Sequence, residues 1–470
     1  MVDDGYIRAA QDDEEEPYRT GPERRMPREP NSQLQQLLEA ADWRPSQFAR
    51  AMRALAAEHG MHVACDHTTV RRWLAGAQPR PPVPMLLLEC LSRRLGRRLT
   101  AQDAGLTRTS TPVLDLSWDA DPVLRLTRLT QAELDPTRRA LLATILFAPT
   151  APVLPELPTS HSRPPDSTRD SAPAQGTGQA VPAQTRTMAV LFAGAAERLG
   201  GRPVRAALAA YLAHDVIPHL HASGRQQVPG ELLTGAAQLA LLLGSMCADD
   251  GYDGLAQHYH HTAVKLAAQA DDAALLTIGL RTMAAHAYEL GHHRPPAVQL
   301  AEQAAAHACN TPLITQSYAQ AHLAVMQAHH DKHAALATLA RAERLHARAD
   351  TTPGPFTSYP LGALHYQRAQ TLTALGDHTG AARALTASLR ARTPAEHRAT
   401  VLTRARLAET CLRLGHLDQA LLHWGAFLDA YPTLASTRTT RRLAAMRQQL
   451  RPHARHQAAA DLLARAADLL

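Results

Sequence analysis

The chain has 470 residues, of which 45% are hydrophobic and only 4% aromatic. This length exceeds one ordinary domain, and the apolar content suffices for two or three helical cores. A formal net charge of +6 permits nucleic-acid binding without requiring it. Five scattered cysteines without a C-x-x-C pair indicate a reduced, cytoplasmic protein rather than a disulfide framework. We find no signal peptide and no apolar run of about 18 residues, so we expect neither secretion nor a membrane span.

The chain begins with an acidic stretch, residues 1–30, which is poor in apolar residues and predicts a disordered tail. Asn31 or Ser32 is then a suitable N-cap for a first short helix. A second helix has Pro45 in its first turn and ends at Gly60. The apolar positions that predict the buried faces of these two helices are Leu34, Leu37, Leu38, Phe48, Ala49, Met52 and Leu55.

The stretch from Asp66 to Gly76 predicts a third helix suited to the major groove of DNA. Asp66 is a good N-cap, and Gly76 ends the helix. An apolar face is predicted at Val70, Trp73 and Leu74, which are spaced i, i+3 and i+4. The opposite face carries His67, Thr68, Thr69, Arg71 and Arg72. Arginine can pair with a guanine edge and threonine can reach bases or phosphates, although an ordinary amphipathic helix with solvated arginines has the same pattern.

A basic patch follows the third helix. The proline-rich segment 79–84 leads to a fourth helix, and residues 99–106 close the unit. The apolar positions of the fourth helix are Leu87, Leu88, Leu91 and Leu95. Residues 71–98 hold one acid, Glu89, against seven arginines, namely Arg71, Arg72, Arg80, Arg93, Arg94, Arg97 and Arg98. Such a patch predicts neutralisation of phosphates.

Five segments of this region carry a family resemblance, and they are LLEAADW at 37–43, FARA at 48–51, TTVRRWLAG at 68–76, PRPPVP at 79–84 and LSRRLG at 91–96. On these segments residues 31–106 resemble the helix-turn-helix domain of actinobacterial XRE-type, lambda-repressor-like regulators. The chain is similar to the NsdA family of differentiation and antibiotic regulators, in which such a domain precedes tetratricopeptide-like repeats. The resemblance places the base-reading positions on His67, Thr68, Arg71 and Arg72. We add Thr69, Arg44, Gln47 and Arg80 to the predicted DNA-binding set.

Two features depart from that family. Arg44 and Pro45 stand where the fold usually has a small hydroxyl residue followed by glutamine, so we expect the polar cap of the second helix to be missing. The connection through residues 58–66 is also longer than the tight turn of the smallest repressors.

Residues 107–186 separate the two main parts of the predicted protein. Connecting helices are expected within 107–147, at about 121–130 and 136–148, and they match no repeat. Residues 148–186 are dense in Pro, Ser, Thr, Gly and Gln and predict a flexible linker.

The last part, residues 187–470, is predicted to be helical and contains a repeat. A break, usually glycine, is followed by alanine, as in Gly251 with Ala256, Gly291 with Ala297, His330 with Ala335, Gly376 with Ala381 and Gly415 with Ala420. Glycine supplies a turn, and the small alanine lets the second helix approach the first. The pattern predicts five tetratricopeptide-like hairpins over about 230–430, capped by helices at about 434–450 and 454–469.

The concave face of such a stack is the expected effector or partner site. Its candidate lining is His286, Tyr288, Tyr318, His322, Tyr359, His365 and Tyr366. We interpret the many other histidines as solvated helix residues and expect no metal site and no cofactor. The chain has no GxxxxGK[ST], GxGxxG or GxSxG motif, so we expect no enzyme.

Together these patterns predict an all-α fold with a helix-turn-helix domain of four to five short helices, a disordered linker and a C-terminal hairpin stack. The predicted function is a cytoplasmic transcription regulator, with repression favoured. It would bind double-stranded DNA as a homodimer and sense a peptide, protein or small-molecule effector. The alternative is a helical-repeat interaction scaffold whose N-terminal helices do not bind specific DNA.

Overall fold

The computed structural model describes residues 29–58, 63–80, 83–95, 99–106, 121–135, 180–222, 228–291, 295–350, 352 and 354–469. It forms two compact units, Met1–Thr109 and Ser110–Leu470. Every regular element of the described residues is helical, which confirms the all-α fold. The predicted acidic tail up to residue 28, the helix at 136–148 and the predicted linker up to residue 179 lie outside the described residues.

The first unit is a cluster of short helices around a small apolar core. Its helices are α1 (Ser32–Ala40), α2 (Pro45–Glu58), α3 (His67–Leu74) and α4 (Val83–Leu95). α2 packs against α3 and α4, and α1 also contacts both. Fully buried side chains from all four helices form the core, among them Leu34, Phe48, Met52, Val70 and Leu87. The predicted apolar faces are therefore the packed faces.

Asn31 joins three parts of the first unit. Its side-chain oxygen caps α1 by accepting a hydrogen bond from the N–H of Leu34 at 2.9 Å. Its amide nitrogen donates to the carbonyls of Ala104 at 2.8 Å and Gly105 at 3.1 Å. Its backbone N–H donates to the carbonyl of Leu74 at 2.8 Å. One residue thus ties the start of α1 to the end of α3 and to the closing turn.

The second unit contains the remaining helices. They are α5 (Pro122–Leu134), α6 (Ala180–Leu199), α7 (Arg202–Tyr211), a π-helical turn (Leu212–Val216), α8 (Ile217–Ala222), α9 (Gly230–Asp249), α10 (Asp253–Gln269), α11 (Ala273–Glu289), α12 (Pro295–His307), α13 (Leu313–Gln327), α14 (Lys332–Ala347), α15 (Leu361–Ala374), α16 (His378–Ala391), α17 (His397–Arg413), α18 (Leu417–Ala430), α19 (Thr437–Leu450) and α20 (Gln457–Ala467). Short 3-10 turns lie at Ala308–Asn310, Tyr431–Thr433 and Arg451–His453.

A stack of five helical hairpins occupies Gly230–Ala430, as the repeat spacing predicts. The pairs are α9 with α10, α11 with α12, α13 with α14, α15 with α16 and α17 with α18. The glycines of four inter-helix turns have positive φ, and they are Gly251, Gly291, Gly376 and Gly415. The alanines that follow the five breaks are all buried, and they are Ala256, Ala297, Ala335, Ala381 and Ala420. The break therefore turns the chain, and the alanine lets the paired helices touch.

Two boundaries differ from the sequence prediction. α5 packs against α7, α8 and α10, so it belongs to the helical unit and not to a separate connecting segment within 107–147. α6 begins at Ala180, inside the segment 148–186 that composition assigned to the linker. Thr185, near the start of α6, is fully buried and packs against Gly235 of α9. The approach is so close that a Cβ added at Gly235 would lie 2.7 Å from the Thr185 methyl group. This contact holds the first turns of α6. Tertiary packing overrides the linker-like composition there.

One helix of the described residues, α9, is long and apolar enough by length and composition to cross a membrane, with a mean hydropathy of 1.4. The search for apolar runs in the sequence missed it. In the structure 72% of its apolar window is buried inside the protein. α9 packs against α6, α7, α10 and α11, so contact with helices on several sides accounts for its apolar character.

Replacement of Gly105 by alanine tests the Asn31 junction. Gly105 has a φ of +59°, and an added Cβ would clash with Oδ1 of Asn31. We expect Gly105→Ala to destabilise the first unit by about 1–3 kcal/mol, because it adds backbone strain and displaces a buried hydrogen-bonding group. Hydrogen–deuterium exchange of peptides from residues 29–106 in the full chain measures the loss. The control is Gly194→Ala in α6, where an added Cβ meets nothing within 4 Å, and unchanged exchange in Gly105→Ala would refute the expectation.

Candidate functional site

α3 is held by one face and presents the other to solvent. Asp66 is its N-cap and accepts hydrogen bonds from the N–H and the hydroxyl of Thr69, both at 2.7 Å. These bonds lower the pKa of the Asp66 carboxyl. Val70 and Trp73 are buried in the core. Gly76, with a φ of +91°, ends the helix as predicted.

All four predicted base-reading side chains are exposed on α3, and they are His67, Thr68, Arg71 and Arg72. Thr69 differs from them, since it is half-buried and its hydroxyl serves the cap. Nη2 of Arg72 donates a long hydrogen bond to the oxygen of that hydroxyl at 3.5 Å. The exposed set is therefore two guanidinium groups, one imidazole and one hydroxyl on a single helix face.

Arg44 stands at the N-cap position of α2, and since a guanidinium only donates, its side chain does not replace the hydroxyl-type cap. A different polar contact stabilises this helix start. Gln47 lies in the first turn, and its side-chain oxygen accepts a hydrogen bond from the N–H of Arg44 at 2.8 Å. This is one half of a capping box. Pro45 has no N–H that needs a partner. Gln47 therefore positions the helix start, and the side chain of Arg44 is exposed beside it.

Some arginines of the predicted basic patch are engaged in contacts within the first unit. Nε of Arg94 donates to the carbonyl of Ala41 at 3.0 Å, and its guanidinium lies 5.5 Å from the ring centre of Trp43. Arg93 pairs with Glu89 at 2.7 Å. The exposed arginines of the predicted DNA-binding set are Arg44, Arg71, Arg72 and Arg80, while Arg97 and Arg98 lie outside the described residues.

Arg53 is a residue that the sequence did not single out. Its Nη1 donates to the carbonyl of Cys65, just before the N-cap of α3. The bond ties the segment that enters α3 to α2. An exposed arginine twelve positions away carries no local signal of this contact, so no sequence pattern could have found it.

The predicted effector residues come together in two pairs. The rings of Tyr288 and His322 are 6.0 Å apart, and those of Tyr318 and Tyr359 are 5.0 Å apart. Nδ1 of His322 is hydrogen-bonded to the side chain of Gln367 at 3.2 Å. Contacts between α11, α13 and α15 thus bring these polar side chains together along one face of the stack, which we call the inner face.

Much of this inner face is covered. Three of its predicted residues are buried, with exposed fractions of 4% for His286, 1% for His322 and 3% for Tyr359. The half-buried members are Tyr288, Tyr318, His365 and Tyr366. A ligand could reach the second group but not the first in this conformation.

Two arginines complete the inner face and were missed because the prediction selected aromatic residues and histidines only. The guanidinium of Arg281 lies 4.0 Å from the ring centre of Tyr318 and donates to its hydroxyl at 3.0 Å. Arg406 is paired with Glu409 at 3.3 Å, and it is also hydrogen-bonded to Tyr366. The inner face therefore combines phenols with guanidinium groups.

The histidine cluster of α10 is not solvated, contrary to expectation. His258, His260 and His261 are all buried. Nη1 of Arg125 lies 2.8 Å from Nδ1 of His261, and since arginine only donates, this nitrogen accepts. Within the described ranges, no group of three or more His, Cys, Asp or Glu side chains is placed to hold a metal ion.

Comparison with known protein families gives a match within the first unit. Residues 34–107 match the family described as SP15 N-terminal domain, which corresponds to the first unit from α1 onward. No curated protein matches the chain. No solved structure matches it either.

Two buried histidines predict instability in acid. Burial lowers the pKa of His322 to about 3 and holds the pKa of His260 well below its ordinary value. Unfolded histidine takes up a proton near pH 6.5, whereas these folded side chains do not, so folding stability falls as the pH drops below that value. We expect a slope approaching about 1.4 kcal/mol per pH unit for each group. Urea unfolding followed by circular dichroism from pH 7.5 to pH 5 measures the slope.

The same experiment on His322→Gln isolates one contribution. Glutamine keeps a polar side chain near Gln367 but takes up no proton. We expect the slope below pH 6.5 to become shallower by about one proton equivalent. An unchanged slope in this variant would contradict the assignment.

Proposed function

We propose that the chain is a DNA-binding transcription regulator whose helical stack binds an effector or protein partner. The exposed face of α3 carries this proposal. His67, Thr68, Arg71 and Arg72 project from a short helix that is fixed through its opposite face and capped at its start. A rigid helix of this kind, with donors and acceptors on its free face, suits base recognition in a major groove.

Phosphate contacts would supply most of the affinity. Arg44 and Arg80 are exposed in the same unit as α3 and can meet the backbone of a bound duplex. Binding that depends on such contacts weakens steeply with salt, because neutralised phosphates release counterions.

We infer a homodimer from the short length of the recognition helix α3. α3 has eight residues and can contact few base pairs, so two copies on two half-sites are needed for a specific operator. In the proposed mechanism an effector in the stack changes how two DNA-binding units are paired and leaves α3 itself unchanged. Repression is favoured by the family resemblance alone.

One observation favours a second candidate, an interaction scaffold. Arg93 and Arg94 are engaged within the first unit, which reduces the basic surface left for phosphates. In that case the exposed face of α3 would contact a protein.

Loss of two arginines distinguishes the candidates. Duplex DNA selected by the wild-type chain from a random-sequence pool serves as the probe. We expect Arg71→Ala combined with Arg72→Ala to weaken binding at least about thirtyfold, since a good arginine–base pair contributes about 1–3 kcal/mol. Fluorescence anisotropy at several salt concentrations measures both the affinity and the salt slope.

The matched control removes the same charge elsewhere. Arg186 and Arg465 form exposed ion pairs with Glu231 and Asp429 in the second unit. Arg186→Ala combined with Arg465→Ala should leave the affinity unchanged. Failure of the wild-type chain to select any duplex, or binding that ignores salt, would favour the scaffold.

A further inference from the structure

The helical unit contains two separate apolar cores. The first spans α5 to α13 and includes Leu208, Leu243 and Leu280. The second spans α15 to α20 and includes Leu407 and Trp424. Among the described residues the two clusters share no member. We call the described residues of α5–α14 the front part and those of α15–α20 the back part.

The two parts are joined at the chain junction between α14 and α15. A small apolar cluster lies there, with Ile314 and Ala321 from α13, Ala342 from α14, Tyr359 just before α15, and Leu364 from α15. It is far smaller than either core. α15 also packs directly on α13, and His322 of α13 is hydrogen-bonded to Gln367 of α15 at 3.2 Å. The two parts therefore have separate apolar cores but stay in stacking contact at the junction, which is the pivot available to them.

The two parts meet again at a second place, where α17 packs on α6 and several of the contacts are charged. The guanidinium of Arg398 lies 3.2 Å from Glu197 and 3.2 Å from Asp249. Glu197 also accepts a hydrogen bond from the N–H of Ala399 at 2.7 Å. The hydroxyl of Ser436 donates to Asp249 at 2.7 Å. We call this surface the ionic clasp.

Two further ion pairs extend the ionic clasp. Arg438 lies 2.5 Å from Glu289, and Arg441 lies 3.6 Å from Asp253. In every pair the carboxylate belongs to the front part and the arginine to the back part. The two faces are therefore electrostatically complementary, which specifies how they dock.

Both ions at the centre of the clasp are held in their charged forms. Burial opposes the charge of Arg398, yet Glu197 and Asp249 outweigh burial and raise the pKa of its guanidinium. Burial also opposes the charge of Asp249, but Arg398 and Arg438 lower its pKa. Such pairs define a docking geometry. When they separate, water solvates both charges again, so opening costs less free energy than exposure of an apolar core does.

Glycine permits the close approach of the two parts. The N–H of Ala435 donates to the carbonyl of Leu199 at 2.8 Å. Gly200 follows with a φ of +89°, and an added Cβ would overlap the carbonyl of Ala435. The backbone of the back part thus lies directly on the turn between α6 and α7.

We propose that the ionic clasp is a reversible closure of the helical unit, in which the back part swings about the α14–α15 junction. Closure covers the inner face where Tyr288, Tyr366 and Arg406 meet, and opening exposes it. The role of that face as an effector site rests on the proposed function, whereas the closure itself does not. Salt favours the open state, because partly exposed ion pairs are screened.

Amide hydrogen exchange in the full chain tests the closure, since it detects openings that are rarely populated. The N–H groups of Ala399 and Ala435 are reporters, because each is bonded across the clasp. Internal references are the N–H groups of Asp272, bonded to Ala267 in the front part, and Asp377, bonded to Leu372 in the back part. High salt should accelerate exchange at the two reporters and not at the references.

Variants of one ion pair give a second arm. Arg438→Gln removes the bond to Glu289 and should speed exchange at the reporters by up to about fivefold, the effect typical of a partly exposed pair. The control is Arg465→Gln, whose partner Asp429 lies in the same part, and it should leave the reporters unchanged.

A matched pair of glycine variants gives a third arm that alters no charge. Gly200→Ala and Gly291→Ala introduce comparable backbone strain, since both glycines have positive φ, but only the first meets the back part. We expect reporter exchange to rise in Gly200→Ala alone. Equal acceleration at reporters and references would indicate general unfolding, and reporters unaffected by salt and by both variants would show a rigid contact. Either result overturns the proposal, and neither depends on DNA binding.

Discussion

The close approach of paired helices at each hairpin turn is the constraint on which the helical unit depends. A chain with few aromatic residues cannot fill wide gaps between helices, so its helices must lie near one another. At Gly251, Gly376 and Gly415 the positive φ reverses the chain within one turn. The fully buried Ala256, Ala381 and Ala420 then leave room for the partner helix. Repetition of this contact builds the stack without large core side chains.

In the first unit a short helix, α3, is held rigidly through one face while its other face stays exposed. α3 is too short to be stable alone. Buried Val70 and Trp73, the cap at Asp66 and the bond from Asn31 to Leu74 together fix its position. The polar face then stays exposed, apart from Thr69, whose hydroxyl bonds to the cap and accepts from Arg72. This separation of anchoring and presentation underlies the proposal that the unit reads DNA.

Charge has opposite uses in the two units. On α3 the arginines are exposed, and they remain available to an external anion. In the helical unit Arg398 and Arg438 form ion pairs with carboxylates from the other part. A closure built from such pairs responds to ionic conditions, whereas the two apolar cores on either side do not. The inner face lies between the two apolar cores. In the proposed closure its exposure therefore depends on the ion pairs of the clasp and not on the packing within the cores.

Local patterns in the sequence determined the helices of both units, the cap and end of α3, and the five hairpins with their turns. These features depend on residues within a few positions of one another, so apolar spacing and capping residues in the sequence predict them directly. Three features could not be read locally: the start of α6 inside a linker-like composition, the burial of the α10 histidines, and the covered inner face. Each depends on partners far away in the chain, such as Gly235 for Thr185 and Arg125 for His261. Only the tertiary structure brought Glu197 and Asp249 to Arg398, because a charge in a sequence carries no mark of its distant counterion.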